Sequence, residues 1–204
     1  AKTQNGVLYI KDWFFQCPWT EVYDFVEFVI LYTDNDDFTK YINYILKKHL
    51  SGFRVISGEI VPISSEQEIE AIEFAQSVNK YVKHHLDVAL KLLSDKESPD
   101  YRNSIKESIS AVEALVKLIS GDSKATLGSA LRIIEKAGNV KIHDALRNGF
   151  LNLYGWTSDD EGIRHSLMDE PTLSQEDAIY MLVTCSAFIN YLFEKSRKFD
   201  LKLK

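Results

Sequence analysis

The sequence is poor in cysteine and has no long apolar run. Cys17 and Cys185 are its only cysteines, too few for a disulfide framework, and their spacing does not suggest a zinc site. The longest apolar stretch, Val26–Tyr32, is interrupted by Glu27 and is far shorter than the ~18 residues that a membrane span needs. The first residues, Ala1–Gly6, are polar and lack the apolar core of a signal peptide. These absences predict a soluble, cytoplasmic protein without a membrane segment.

Common enzyme signatures and a basic surface are also missing. The sequence has no G-x-x-x-x-G-K-[ST], G-x-G-x-x-G, H-E-x-x-H or G-x-S-x-G motif. Its formal net charge of −6 argues against wide, sequence-independent binding to phosphate backbones but is compatible with a local basic cleft. His84 and His85 diverge by about 100° on a helix, so one should lie at the surface and one beside the core. Neither a metal nor a cofactor is predicted.

Residues 1–77 alternate between helical and strand-like patterns. Thr20 is a predicted N-cap, and a second helix is expected to open near Asp36–Asp37 and to end at Gly52 in a left-handed conformation. Two short β-branched runs near residues 53–63 flank Ser57–Gly58, which predicts a tight hairpin. This part is therefore expected to be an N-terminal α+β module containing a small β-hairpin.

The remainder, residues 78–204, reads as helices only. An S-x-x-E box at Ser65 opens the helix before this part, and further capping signals within it are stops at Gly121 and Gly138 and caps at Thr126 and Ser174. The predicted helices cover about residues 84–93, 100–119, 127–136, 141–154 and 174–197. The sequence thus predicts a mainly α protein with an N-terminal module (1–77) and a helical domain (78–204), without a linker rich in proline or glycine between them.

Aromatic residues cluster near the start of the chain. Because they recur close to a predicted apolar helix, we interpret them as core or interdomain packing and not as a platform for stacking bases. The cluster consists of Trp13, Phe14, Phe15, Trp19 and Tyr23.

Arg164 and His165 are the strongest candidates for chemistry. They follow an acidic loop and join a permanent cation to a side chain that titrates near neutrality, which suits phosphate chemistry. A structural interpretation also fits, in which Arg164 forms an ion pair with a carboxylate of the segment 159–161 and His165 packs against the preceding helix. The sequence alone leaves both interpretations open.

Several segments resemble a known family of helical domains. The stretches Asp100–Val116, Ala125–Leu131, Leu153–Leu167 and Asp177–Tyr191 resemble the C-terminal HEPN domain of abortive-infection proteins of the AbiJ type. The upstream stretch Leu50–Ile63 is similar to the N-terminal module that accompanies such domains. The most specific part is the helix that begins DYRNSIKESISAVE, followed later by GIRH.

The resemblance implies a HEPN-like helical bundle that cleaves RNA without metal, as a homodimer, in antiviral defence or toxin–antitoxin systems. In that reading Arg164 and His165 are catalytic. Glu107 and Asn103 support them from an earlier helix. A second set of residues, Arg102, Lys106 and Arg147, is expected to contact RNA phosphates.

The sequence departs from the family at its catalytic histidine. The family spaces its pair as R-x(4–6)-H, but the corresponding positions after Arg164 are Asp169, Glu170 and Pro171. Either His165 has taken over proton transfer, or the domain is catalytically silent and acts as a dimerisation module that binds RNA, nucleotide or a partner protein. Both alternatives remain hypotheses.

Overall fold

The structure, a computed structural model, describes residues 2–136, 141–156 and 173–197, with side chains from residue 9 onward. It is mainly helical and contains one small antiparallel hairpin, which confirms the predicted fold class. The chain forms two compact units, Ala1–Pro62 and Ile63–Lys204. The predicted domain boundary, after residue 77, lies fifteen residues beyond the end of the first unit at Pro62 and stays a prediction.

The first unit consists of three helices and the hairpin. Its elements are α1 (Lys2–Gln16), α2 (Trp19–Thr33), α3 (Asp36–Lys48), β1 (Arg54–Ile56) and β2 (Glu59–Val61). The strands pair with Val55 opposite Ile60, and Ser57 and Gly58 both have positive φ, as a tight hairpin turn requires. The predicted hairpin is confirmed.

Polar side chains from the helices hold this hairpin in place. The Asn43 amide donates to the Val55 carbonyl at 3.0 Å, and the Val55 N–H donates to the Asn43 Oδ1 at 2.7 Å. The Ile60 N–H donates to Glu27 on α2 at 2.6 Å. Ile30, Val55 and Ile60 form the apolar centre beside these bonds. A two-stranded hairpin is marginal alone, so these contacts with α2 and α3 account for its stability.

Four of the five clustered aromatic residues pack within this unit. Trp13 and Phe14 contact the ring of Phe25, and Trp19 and Tyr23 contact the ring of Phe53. These ring contacts agree with packing within the unit, but Phe15 is 80% exposed and Trp19 is 55% exposed, so these two rings are not part of a buried core.

The first unit also contains one helix that was not predicted and corrects two expectations about helix ends. Residues 2–16 form α1, a helix that was not predicted. Thr20 lies inside α2, whose N-cap is Pro18, because proline fixes a backbone compatible with a helix start and has no N–H to satisfy. The left-handed residue after α3 is Leu50 (φ 55°) and not Gly52. The Leu50 and Ser51 N–H groups bond back to the last turn of α3, which forms a Schellman motif two residues earlier than glycine indicated.

The second unit is a bundle of six described helices. They are α4 (Glu66–Val78), α5 (Lys80–Ser94), α6 (Tyr101–Ser120), α7 (Leu127–Lys136), α8 (Asp144–Trp156) and α9 (Gln175–Arg197). Helix α6 packs against α5, α9 and α7, while α4 packs against α9 and α5. Its buried face includes Ile105, Ile109, Val112 and Val116, the residues of the predicted apolar stripe. The core of this unit is therefore built around α6.

Most capping predictions for the bundle are confirmed. Ser65 accepts a hydrogen bond from the Glu68 N–H, and Ser174 and Asp177 cap each other at the start of α9. Gly121 ends α6 with φ 70°. Helix α5 begins at Lys80 and is capped by Asn79. This start is four residues before the predicted one, at residue 84. The predicted stop at Gly138 lies outside the described residues.

The two cysteines are both free thiols. Cys185 is fully buried in α9, and this burial raises the pKa of its thiol well above the ordinary value. It therefore behaves as an inert apolar side chain. Among the described helices, none combines the length and apolarity required to cross a membrane.

Two fully buried serines of the bundle offer a matched test of hydrogen bonding. The Ser104 hydroxyl donates to the Ala89 carbonyl at 2.8 Å, whereas the Ser186 hydroxyl is buried without a partner among the described residues. Ser104→Ala should lower the free energy of unfolding by about 1 kcal/mol, and Ser186→Ala should leave it unchanged or raise it by up to about 1 kcal/mol. Urea denaturation measures both. Equal losses in the two variants would contradict the assignment.

Leu50 provides a second test, of backbone strain. Its side chain is 91% exposed and its φ is 55°, so little packing offsets the cost of the left-handed conformation. Leu50→Gly should stabilise the protein by roughly 0.5–1 kcal/mol, and Leu50→Val should destabilise it, because β-branched residues tolerate this region poorly. Thermal denaturation of the three proteins compares them. A destabilised glycine variant would show that the Leu50 side chain has a packing role.

Candidate functional site

The predicted catalytic pair, Arg164 and His165, lies outside the described residues, so its role stays a prediction. The other predicted site residues lie in the second unit, on α6 and α8. Their surroundings determine which of them are available for a ligand.

The predicted residues in the first turns of α6 serve different roles. The side-chain amide of Asn103 donates to the Asp100 carboxylate at 2.6 Å, and its backbone N–H donates to the same carboxylate at 2.9 Å. Asn103 therefore takes part in the capping of α6, whose N-cap residue is Asp100. Arg102 is half-exposed and Lys106 is exposed one turn further along.

Arg147, on α8, is held between two carboxylates. Its guanidinium contacts Glu135 of α7 at 2.7 Å and Asp144 at 3.0 Å, and its side chain is only 21% exposed. These ion pairs compensate its charge and join α7 to α8. The structure thus gives Arg147 a local structural role, and its predicted contact with phosphate is not tested.

Glu107 makes the contact of greatest chemical interest. Its Oε2 lies 2.7 Å from the Nδ1 of His85 on α5, and the two side chains are only 24% and 32% exposed. Because an ionised carboxylate can only accept, Nδ1 carries the proton and donates to Glu107. This bond orients the imidazole and leaves Nε2 as the nitrogen available to a ligand. His84, the neighbour of His85, is exposed, as the helical spacing predicted.

The His85 side chain opens onto a groove between α5 and the C-terminal half of α6. The groove has a volume of about 580 Å³, within the usual range for small-ligand sites. Its polar lining includes Tyr81, Ser110, Glu113 and Lys117. It therefore combines an exposed aromatic ring, hydroxyl groups, a carboxylate and an ammonium group near an oriented imidazole.

A second groove, of about 420 Å³, lies between α8 and α9. It includes Phe150 and Phe188, whose rings stack with centroids 3.7 Å apart. The residues that line it carry no charged side chain. Of the two, only the α5–α6 groove is lined by charged side chains and a histidine.

Within the described ranges, no group of three or more acidic, histidine or cysteine side chains is arranged to hold a metal ion. The His85–Glu107 pair supplies one imidazole and one carboxylate. Together with Lys117 it can exchange a proton and contact an anion.

Sequence analysis did not predict the His85–Glu107 pair. The two residues are separated by 22 positions and meet only because α5 and α6 run antiparallel. A usable signal was present, since an antiparallel helical hairpin pairs residues at equal distances from its connection. The missing quantity was the register, which depends on the conformation of residues 95–100.

Comparison with known proteins gives one match. Residues 2–77 match the family described as AbiJ N-terminal domain 4, which supports a relationship to AbiJ-like abortive-infection proteins. No curated protein and no solved structure matches the chain. The resemblance of the C-terminal part to HEPN domains stays a prediction.

A double-mutant cycle tests the interaction between His85 and Glu107. Because the 2.7 Å bond joins partly buried groups, we expect a coupling free energy of about 1 kcal/mol between His85→Ala and Glu107→Ala in urea denaturation. Pairing His84→Ala with Glu107→Ala provides the control, and its coupling should be near zero. A similar value for both histidines would show that the imidazole of His85 does not bind Glu107 in solution.

Proposed function

We propose that this chain is a phage-defence protein of the abortive-infection type whose helical C-terminal part is directed at RNA. The observation that carries the proposal is the match of residues 2–77 to an AbiJ N-terminal domain. That match comes from a different part of the chain than the segments that resemble HEPN domains. The two lines of support are therefore independent.

The arrangement of the second unit is compatible with this proposal. Two segments of the resemblance, 100–116 and 177–191, lie on α6 and α9, which pack against each other in the bundle. The most specific motif thus falls on a central helix. We further propose that the bundle forms a homodimer, as in the family it resembles.

In the proposed reaction, the 2′-hydroxyl oxygen of RNA attacks the adjacent phosphorus and the 5′-oxygen leaves. His165 accepts the hydroxyl proton, Arg164 stabilises the charge that develops on the phosphorane, and the leaving oxygen takes a proton from water. The products are a 2′,3′-cyclic phosphate and a 5′-hydroxyl. No metal is needed, because no redox step occurs and the arginine supplies the positive charge.

A specific sequence observation favours a second candidate function. Residues 169–171 contain no histidine, so the family's R-x(4–6)-H spacing is absent after Arg164. A catalytically silent bundle would instead bind RNA or a partner protein. In that case defence depends on binding and not on cleavage.

We expect the purified chain to cleave single-stranded RNA in the presence of EDTA and to leave 2′,3′-cyclic phosphate ends. Arg164→Ala and His165→Ala should each lower the rate at least a hundredfold, the usual contribution of one such group. Cells that express the chain should lower phage plating efficiency, and the same variants should abolish protection. Gel analysis of 5′-labelled RNA and plaque counts measure these effects.

His143→Ala is a matched histidine control, because its imidazole Nδ1 accepts a bond from the Ala145 N–H at the start of α8. Protection that persists in both Arg164→Ala and His165→Ala, without cleavage, would establish the binding function. No protection by the wild-type chain, together with no RNA cleavage, would contradict both candidates.

A further inference from the structure

We propose that the groove between α5 and α6 binds a short single-stranded RNA segment, with one base against Tyr81 and phosphates near His85 and Lys117. The inference rests on the proposed RNA-directed function for its choice of ligand. Its physical support comes from the described residues that line the groove.

The aromatic wall of the groove suits a nucleobase. Tyr81 is 53% exposed and lies one helical turn before His85, so both side chains face the same side of α5. The Lys80 ammonium lies 5.0 Å from the centre of the Tyr81 ring. Stacking on an exposed ring tolerates any base and contributes strongly to single-strand binding.

Lys117 and the His85–Glu107 pair lie at opposite ends of the groove. Glu107, which holds His85, and Lys117 are ten residues apart on α6, or about 15 Å along the helix axis. Among the described residues, Lys117 forms one ion pair, with Glu113 at 3.9 Å, which is beyond hydrogen-bonding distance, and its side chain is 36% exposed. Its N–H donors are therefore available to a phosphate. The separation exceeds the size of one phosphate group and favours a strand over a single small anion.

The remaining polar groups favour RNA over DNA. Glu113 can accept a hydrogen bond, and the Ser110 hydroxyl can donate or accept one. Both residues lie between Glu107 and Lys117 along α6. A 2′-hydroxyl is the group by which a protein distinguishes RNA from DNA at a given contact. The carboxylates of Glu107 and Glu113 also repel additional phosphates, which limits binding to a short segment and agrees with the net charge of −6.

We would measure binding of a fluorescent six-nucleotide RNA to the full chain by anisotropy, with EDTA and with the probe checked for integrity afterwards. Tyr81→Ala and His85→Ala should each weaken binding about tenfold or more. His84→Ala, which alters the adjacent exposed imidazole, should have no effect. A DNA probe of the same sequence should bind more weakly than RNA.

Salt dependence provides a second readout that folding defects do not imitate. Each phosphate that a cationic side chain neutralises contributes about −0.7 to the slope of log K against log salt, so Lys117→Ala should reduce the magnitude of the slope by about 0.7. Unfolding temperatures verify that each variant is folded, and His85→Gln offers a conservative replacement should His85→Ala unfold.

Several outcomes would overturn the inference. The first is that the RNA probe does not bind, and the second is that wild type, Tyr81→Ala and His85→Ala bind it with equal affinity. The third is complete competition by adenosine monophosphate at equal concentration, which would indicate a free nucleotide as the ligand. Binding through the groove without RNA cleavage or phage protection would contradict the proposed nuclease and support the groove. Cleavage and protection that are unchanged in a Tyr81→Ala chain with unaltered RNA affinity would contradict the groove alone.

Discussion

The antiparallel register of α5 and α6 determines which polar side chains meet in the second unit. It is set where the Ser104 hydroxyl bonds to the Ala89 carbonyl, at a point where both residues are completely buried. Three residues further along α6 and four residues back along α5, Glu107 faces His85. One more turn brings Tyr81 to the groove. If either helix shifted along its axis, the buried Ser104 hydroxyl would lose its partner. This core contact therefore fixes which side chains of α5 and α6 face each other in the groove.

Local pairing of charges explains how an acidic chain can still offer a site for an anionic ligand. Arg147 lies between two carboxylates, and Lys83 binds Asp87 at 2.7 Å, so these cations produce little field beyond their partners. Lys117, in contrast, has its carboxylate partner at 3.9 Å within the part of the chain that the structure describes. Recognition in such a protein depends on a few donors beside an aromatic surface and not on a broad positive potential.

Features set by neighbouring residues could be predicted from the sequence. The reciprocal cap of Ser174 and Asp177 and the turn at Ser57–Gly58 involve residues at most three positions apart, and both were predicted. The end of α3 was misplaced because the sequence signal favoured Gly52, whereas the hydrogen bonds back to α3 put Leu50 in the left-handed position. The His85–Glu107 contact depends on the tertiary register, which no local pattern encodes.

Helix α4 links the family match to the bundle. It lies within the matched residues 2–77, yet its buried residues Ile72 and Ala75 belong to the unit in which α4 packs against α5 and α9. The Asn190 amide on α9 donates to the Ala71 carbonyl at 2.8 Å, and Gln76 donates to Asp87 on α5 at 2.8 Å. A cut after residue 77 would expose this face and break both hydrogen bonds. The last part of the segment that matches the AbiJ N-terminal domain therefore supplies part of the core of the second unit.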